Sequence, residues 1–406
     1  MKTTTTEKKE QEEVNKMKRR KFVKVLTAGS MGAAALAGTM GTVACSSGQT
    51  EPATTAQTKP AAIAQSQIGR MKVGCQHGGT TKENLEYLAR HGVFNIDGGA
   101  PKYIESVGWD LEDSLAKREA CEKYGISLDA YHLPLSSAGI DKITTPNIML
   151  GKSPERDREI EIIQQMIEVA GKTGVHLLNY NTIILPILRT GRTVDPTRGN
   201  ASYSTWNYEE AVKRGMDKEK VTGGPVSIDQ LYERITYLLD RILPVAEEYN
   251  VKLGNHIADP PAPVGYRGIT RWNSPDVFEG IKRFAQLYDS KSHGFNLCLG
   301  SAAEGLKNPK TEILPIIKWV GERNQIFNIH LRNIKGGWNN FQEVYPDNGD
   351  MDFVQVVRAL RDVNYTGMVM PDHTPQHPDP QSALQGHAFA FGYNIALIQA
   401  VYSETA

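Results

Sequence analysis

Short apolar runs alternate with amphipathic stretches along residues 71–406, and this alternation predicts the fold. Between the runs, apolar residues recur every three or four positions, which is typical of helices that bury one face. Strands that alternate with helices favour a parallel sheet. The predicted strands are residues 71–75, 93–97, 127–132, 175–180, 251–256, 294–298, 326–331 and 367–371.

Polar caps and glycines mark the ends of several predicted helices. Serines are expected to cap three helix starts: Ser153, Ser227 and Ser274. Glycines are expected to end three helices before the next strand: Gly92, Gly125 and Gly174. These residues divide the chain into repeating strand–helix units.

Eight such units favour an α/β fold of the (β/α)8 TIM-barrel type, and a doubly wound open sheet is the alternative. No Gly-x-Gly-x-x-Gly motif follows the first strand, so the commonest nucleotide-binding signature of the open sheet is missing. The longest insertion, residues 182–226, follows the fourth strand. It is therefore expected on the catalytic rim, where its Arg, Tyr and Trp residues would suit a polar ligand such as a sugar.

Composition narrows the classes of partner. The chain has 406 residues, 40% of them apolar and 23% charged, with a formal net charge of zero. This balance argues against a nucleic acid or an anionic membrane surface as the main partner. The four cysteines do not form a disulfide framework, and we interpret Cys75 and Cys121 as packing residues.

The first 70 residues resemble an export signal followed by a linker. Arg19-Arg20 precedes a weakly apolar stretch at 26–44, which is a poor membrane anchor but similar to a Tat signal. Cys45 stands in a lipobox-like sequence, which predicts a lipid anchor and a location in the periplasm or cell envelope. Residues 46–70 are rich in Ser, Thr, Pro and Gln and indicate a flexible linker. A disordered tail with a chance Arg-Arg pair is the alternative.

Four potential metal ligands end four successive predicted strands. His256, Cys298, His330 and Asp372 each follow a short apolar run. The carboxyl ends of barrel strands converge on one rim, so these side chains can meet around one ion. Imidazole nitrogen, thiolate sulfur and carboxylate oxygen together suit a divalent transition metal better than calcium or magnesium.

The motif order from the fourth strand onward resembles the mannonate dehydratase family of the xylose isomerase-like barrels. The matching segments are LLNYNTIILPILRT, LPVAEEYNVKLGNHIADPP, HGFNLCLGS, NIHLRNIK, NGDMDFVQVVRAL and MPDH. The resemblance implies a divalent metal, manganese before iron, cobalt or zinc, on the four ligands above. It also implies a catalytic role for His373 and the dehydration of D-mannonate to 2-keto-3-deoxygluconate.

The chain departs from the family pattern in its proton-transfer residues. Gln381 stands where the family has a catalytic Tyr, within Asp-Pro-Gln-Ser-Ala. An amide does not titrate in the useful range. Dehydration therefore requires another acid, for which Tyr345 and metal-bound water are the candidates.

Three further residues are predicted to bind substrate: Arg332, Asn181 and His132. Arg332 lies two residues beyond His330 and could clamp a carboxylate, with a salt bridge at the barrel top as the alternative. His132 ends the third strand and points toward the rim, where ordinary loop hydrogen bonding is the alternative. His77, which follows the first strand, has the same two readings as His132, whereas Asn181 and Glu304 are weaker rim candidates.

These observations predict a metal-dependent sugar-acid dehydratase with a small-molecule substrate. One alternative is an exported sugar isomerase, epimerase or lyase of the same superfamily, because all of these begin with the same proton abstraction. A sugar-binding lipoprotein without catalysis is a third reading. A homo-oligomer is compatible with the sequence, which does not assign its size.

Overall fold

A closed barrel of eight parallel strands forms the centre of the protein, as the computed structural model of residues 69–405 shows. Its strand order is β1-β14-β11-β10-β9-β6-β5-β2. The strands are β1 (Lys72–Cys75), β2 (Asn95–Asp97), β3 (Tyr103–Ile104), β4 (Gly108–Trp109), β5 (Ser127–His132), β6 (Leu177–Tyr180), β7 (Gly191–Asp195), β8 (Ala201–Asn207), β9 (Lys252–His256), β10 (His293–Cys298), β11 (Ile326–His330), β12 (Asn333–Gly337), β13 (Asn340–Val344) and β14 (Met368–Met370). All eight predicted strands are barrel strands, so the predicted TIM barrel is confirmed.

Helices follow the barrel strands, and the eight long amphipathic stretches of the sequence are all helical. The helices are α1 (Lys82–Arg90), α2 (Leu111–Glu122), α3 (Pro146–Leu150), α4 (Glu155–Lys172), α5 (Tyr208–Lys213), α6 (Ile228–Glu248), α7 (Val277–Ala285), α8 (Leu299–Ala303), α9 (Pro309–Gly321), α10 (Phe353–Asp362) and α11 (Ser382–Ser403). The buried side chains of α6 recur at helical spacing, because only one face packs on the barrel.

One of the three predicted serine caps is confirmed. Ser227 accepts a hydrogen bond from the backbone of Gln230, whose side chain returns one to the Ser227 backbone. Ser153 and Ser274 were wrong predictions. Helix α4 begins after Pro154 with no side-chain cap, and α7 begins after Asp276, whose carboxylate accepts two backbone N–H bonds. The three predicted glycines do follow helices in the left-handed conformation that glycine adopts without strain.

A second sheet covers part of the barrel mouth. It is antiparallel, in the order β12-β13-β8-β7. The insertion at 182–226 supplies β7, β8 and α5, and the segment after β11 supplies β12 and β13. The insertion therefore lies on the C-terminal side of the barrel as predicted, and it is a folded sheet rather than a plain loop. This sheet holds Glu343 of β13 above the strand ends.

The barrel interior is a small apolar core, distinct from the larger core between barrel and helices. It contains Ala130, Leu177, Phe327, Met368 and Met370, all of them buried. Each fully buried large apolar side chain contributes about 1.5–3 kcal/mol relative to exposure. This core fills the barrel below the mouth.

The predicted export signal, with Arg19-Arg20 and Cys45, lies outside the described residues. Within residues 69–405, no helix is both long enough and apolar enough to cross a membrane.

Candidate metal centre

The four predicted ligands meet at the barrel mouth. His256, Cys298 and His330 are the last residues of β9, β10 and β11, and Asp372 follows β14 by two residues. One potential ligand atom from each lies within 4.8 Å of the others. The predicted convergence is thus present, because the carboxyl ends of adjacent parallel strands share one rim.

The hydrogen bonds around the two histidines fit metal ligands. His256 Nδ1 lies 2.6 Å from the carbonyl oxygen of Ile257, so this nitrogen donates its proton and leaves Nε2 for the cluster. Ligating histidines commonly hold their other ring nitrogen in this way. The buried Nδ1 of His330 lies 3.5 Å from an Asp372 oxygen and has no hydrogen-bond partner among the described residues. A buried ring nitrogen and a carboxylate that lie close together without a hydrogen bond are what a metal-binding site provides.

Local charges favour the ligand forms of Cys298 and Asp372. Burial alone would raise the pKa of the Cys298 thiol, but the Arg332 guanidinium and the hydrogen bond from His256 hold it well below its usual range. Burial likewise opposes ionisation of Asp372, and His373, His330 and Arg332 outweigh it, so its pKa is also held well below the usual range. Thiolate and carboxylate are the forms that bind metals.

His256 carries positive charge in this cluster. Burial would lower its pKa, but hydrogen bonding and charge attraction from Cys298 raise it to about 9. A proton therefore occupies the place where a cation would neutralise the same thiolate. Metal binding to such a set releases protons.

Neighbouring polar groups hold the anionic ligands in place. Gln76 Nε2 donates to Asp372 Oδ1 at 2.8 Å. The backbone N–H and the hydroxyl of Ser301 donate to Cys298 Sγ at 3.4 and 3.2 Å. Sequence reasoning missed both residues. Gln76 directly follows β1, and Ser301 lies in the first turn after Cys298. Their closeness to strand ends is the sequence signal that could have identified them as neighbours of the site.

The predicted carboxylate clamp at Arg332 is corrected by the structure. The Arg332 side chain is 1% exposed, and buried protein groups contact both of its terminal nitrogens. Its Nε lies 3.1 Å from Asp372, and its two terminal nitrogens contact a set of buried acceptors: Asp259, Ser301, Glu304 and Glu343. The structure shows the salt-bridge alternative, because the guanidinium is buried among protein carboxyl groups.

A second arginine completes this buried ion network. Arg189 pairs with Asp259 at 2.5 Å, with Glu304 at 3.3 Å and also with Glu343. The three carboxyl groups lie within 4.8 Å of one another, a spacing that could itself hold a metal. The two guanidinium groups already bind these oxygens, so we interpret the cluster as an ion network. The sequence analysis did not select Arg189, Asp259 or Glu343, whose pairing arises from tertiary contacts.

Burial gives the acids of the network opposite protonation. Burial and the neighbouring Asp259 raise the pKa of Glu304 well above its usual range, so that this carboxyl keeps its proton. Burial opposes ionisation of Asp259 too, but Arg189 and Arg332 lower its pKa.

His373 lies beside the ligand set at a position open to solvent. Its Nδ1 is 3.3 Å from Glu343 Oε2 and its Nε2 is 3.4 Å from Asp372 Oδ2, with 38% of the side chain exposed. Strand β14 ends at Met370, two residues before Asp372, so strand alternation does not fix the directions of Asp372 and His373. Both Asp372 and His373 can therefore face the mouth.

The other predicted residues also lie at the mouth. His132 Nδ1 is 3.2 Å from Asp97 Oδ2. Asn181 follows β6, is buried, and donates its backbone N–H to Leu135 at 2.7 Å. His77 packs edge-on against His387 and contacts the backbone oxygen of Asp372. Their roles in substrate binding stay predictions.

Gln381 and Tyr345 are the two residues that the family resemblance connects with proton donation. Both are separated from the metal ligands along the chain. Gln381 precedes α11 in the left-handed conformation and is exposed. Tyr345 is nearly buried and packs against Tyr203 and Phe389. Burial raises the pKa of Tyr345.

Cys75 and Cys121 are packing residues as predicted. Both are buried free thiols. Burial raises the pKa of each to about 11, so both stay protonated and unreactive near neutral pH.

Comparison with known proteins supports the architecture and the chemistry. The family model for D-mannonate dehydratase (UxuA) matches residues 224–403. The mannonate dehydratase of Thermotoga neapolitana is 27% identical over 332 residues, which cover 74% of this chain and 87% of that protein. The crystal structure of mannonate dehydratase from Streptococcus suis serotype 2 has a TM-score of 0.69 at 25% identity, over 83% of this chain and 95% of that chain.

A more distant structure shares the fold. The xylose isomerase domain protein from Planctomyces limnophilus has a TM-score of 0.50 at 13% identity, over 82% of this chain and 99% of that chain. The similarity to the dehydratases further supports a hydro-lyase. The chain is therefore similar to mannonate dehydratases in both sequence and structure, and it shares the TIM-barrel fold with the more distant protein.

Proposed function

We propose that this protein is a metal-dependent dehydratase that converts D-mannonate to 2-keto-3-deoxygluconate and water. The observation that carries the proposal is the meeting of His256, Cys298, His330 and Asp372 at the barrel mouth, with His373 beside them. The Thermotoga and Streptococcus relatives, which are named for the same activity, support the substrate. Manganese is the proposed metal, and iron, cobalt and zinc are the alternatives to test.

The metal supplies charge stabilisation in this scheme. A divalent ion on the four ligands would stabilise negative charge that develops on the carboxylate end of the substrate as the neighbouring C–H proton leaves. The buried apolar core below the ligands keeps the sugar acid in the mouth. The network around Arg332 holds Asp372 and Cys298 in their anionic forms.

His373 is the proposed base. Its Nδ1 lies 3.3 Å from the buried Glu343 carboxylate, and the tautomer with its proton on Nδ1 leaves Nε2 with a lone pair. Nε2 faces the ligand cluster and can take the proton from carbon 2 of a bound sugar acid. Glu343 is held in turn by Arg189 and Arg332, so the imidazole is supported by a rigid network.

The direct test is turnover of D-mannonate by purified protein loaded with Mn²⁺. We expect the keto-deoxy acid to form, as followed by proton NMR, and a chelator to stop it. Loading with Fe²⁺, Co²⁺ or Zn²⁺ ranks the metals. A matched panel of epimeric aldonates and of aldoses tests the substrate class.

Each contrary result has a definite meaning. Metal-dependent conversion of a sugar without loss of water would replace the dehydratase by an isomerase or epimerase. Sugar binding without any turnover would indicate a binding protein. Either outcome would overturn the proposed function while leaving the metal site intact.

We also propose that the chain is exported and anchored through Cys45. Twin arginines, an apolar stretch and the lipobox-like Cys45 occur in the order that such signals require. Replacing Arg19 and Arg20 by lysine should hold the protein in the cytoplasm, whereas Cys45→Ala should release it from the membrane fraction. Mass spectrometry of the mature N-terminus tests the cleavage, and full-length unacylated protein in the native cytoplasm would contradict it.

A further inference from the structure

A histidine–aspartate pair lies at the barrel mouth, and the proposed proton abstraction does not use it. His132 Nδ1 lies 3.2 Å from Asp97 Oδ2, and Asn179 Nδ2 donates to the same oxygen at 2.7 Å. The Asp97 side chain is 1% exposed. A buried carboxylate held by two neighbours gives the imidazole a fixed orientation.

Strand geometry places this pair at the level of the metal ligands. Ala130 belongs to the barrel-interior core. Alternate residues of a strand face the same side, so His132 also faces inward, one layer nearer the mouth. Asp372 follows Met370, a residue of the same core, by two positions.

The pair lies across the mouth from the ligands. In the closed ring of strands, β2 is opposite β10 and β5 is opposite β11. Asp97 ends β2 and His132 ends β5, whereas Cys298 ends β10 and His330 ends β11. A sugar acid bound at the ligand cluster therefore has His373 on the cluster side and His132 on the facing wall.

His132 is equipped to give a proton to a ligand. Its side chain is 35% exposed, and because Nδ1 faces Asp97, Nε2 is the ring nitrogen left for a ligand. Burial would lower its pKa, but the Asp97 carboxylate outweighs burial and the net pKa is raised. The charged groups that face it are Asp97, His256 and Asp372, of which His256 opposes protonation.

Dehydration needs an acid that this chain lacks at the family's usual position. Gln381 stands in place of the tyrosine and cannot donate a proton to a departing hydroxyl. We propose that His132 is the general acid of this enzyme, with Asp97 as its positioning residue. The inference rests on the proposed dehydratase function and deepens it.

The step balances as follows. His373 Nε2 takes the proton from carbon 2, and the electron pair of that bond forms the double bond between carbons 2 and 3. The bond from carbon 3 to its hydroxyl oxygen breaks, and the imidazolium Nε2–H of His132 protonates that oxygen, which leaves as water. The resulting enol becomes the 2-keto acid when carbon 3 takes a proton.

The leaving group can be changed to test this assignment. Fluoride leaves without being protonated, so 3-deoxy-3-fluoro-D-mannonate yields the same keto acid with little need for an acid. We expect His132→Asn to lower kcat for D-mannonate at least ~100-fold, within the range of general acid catalysis. The same variant should lose less than about tenfold on the fluoro substrate. If His132 had only a structural or binding role, the substitution would lower turnover of the two substrates to the same extent.

Two further variants sharpen the test. Asp97→Asn removes the anion that favours protonated His132, so activity on D-mannonate should fall at a lower pH than in the wild type, with fluoro-substrate activity spared. His176→Asn changes an exposed histidine at the opposite end of the barrel, before β6, and should alter neither substrate's turnover.

The outcomes separate the two proposals. Equal losses of His132→Asn on both substrates, or no loss on D-mannonate, would overturn the acid assignment while the active wild type upholds the dehydratase. If Tyr345→Phe instead lost turnover of D-mannonate and kept turnover of the fluoro substrate, the general acid would be Tyr345. A metal-loaded wild type inactive on both substrates would overturn the proposed function, and this inference with it.

Discussion

Substitutions of Cys298 and of His373, two residues at the barrel mouth, are expected to have different effects. Cys298 lies inside the ligand set, where a thiolate contributes to metal affinity. His373 lies outside that set and contacts it through Asp372. Single substitutions can therefore separate metal binding from proton transfer.

We predict that Cys298→Ala lowers bound metal, whereas His373→Ala abolishes turnover and leaves metal content nearly unchanged. Metal is measured by elemental mass spectrometry after dialysis, and turnover with D-mannonate. Cys121→Ala is the matched control, because it removes an equally buried thiol far from the ligands and should keep its metal. Full activity of His373→Ala would show that His373 is not the base.

Arg332 shows why a residue near a site need not touch a substrate. We predict that Arg332→Met destabilises the fold by about 3–5 kcal/mol, because it leaves buried carboxylates without their counter-charge. Arg358→Met is the matched control. Arg358 pairs with Glu404 at the surface, where solvent screens the two charges, so its loss should change stability little.

Both arginine variants are compared by urea unfolding in the presence of a chelator. Arg332 also contacts Asp372 and Cys298, so the chelator keeps any loss of metal out of the comparison. Equal stability of the two variants would show that the buried network is not held by Arg332.

At the scale of elements, strand ends and helix starts position the site. The metal ligands occupy the last positions of β9, β10 and β11, so the barrel register aligns them without long loops. The added sheet brings Glu343 over the mouth from a different part of the chain. Helix α6 packs on the outside of the barrel, so the contribution of its N-cap to stability can be tested separately from the site.

We predict that Ser227→Ala costs about 1 kcal/mol, the usual value for loss of an N-cap that accepts a backbone N–H bond. Ser274→Ala is the control, since Ser274 caps no helix and its buried hydroxyl has no partner among the described residues. Thermal unfolding followed by circular dichroism compares the two. A larger loss in Ser274→Ala would contradict the cap assignment.

For the whole molecule, metal binding and folding are expected to be linked. The ligands come from four strands that are far apart in sequence, so the unfolded chain offers no equivalent site. A ligand that binds only the folded state stabilises it in proportion to the logarithm of its concentration.

We therefore predict that Mn²⁺ raises Tm and that a chelator lowers it. At a free concentration of 100 times Kd the stabilisation should be about 2.7 kcal/mol. Calorimetry over a range of Mn²⁺ concentrations measures the effect, and Cys298→Ala should abolish most of it. A Tm independent of Mn²⁺ in the wild type would argue against a metal site in these four residues.

Local patterns in the sequence determined the barrel and its ligand set. Strand and helix periods depend on nearby residues, and each ligand directly follows an apolar run that predicts a strand. Because parallel strand ends converge in any such barrel, His256, Cys298, His330 and Asp372 could be grouped before their distances were known.

Tertiary structure alone decided how the remaining charged groups are paired. Arg332 had the spacing of a substrate clamp, yet its guanidinium is buried and forms ion pairs with Asp372 and with three other acids from separate parts of the chain. His132 had the spacing of a rim residue, and its pairing with Asp97 follows from the adjacency of β2 and β5 in the closed ring. Charge pairing depends on distance in space, which residue order does not encode for segments joined by long connections.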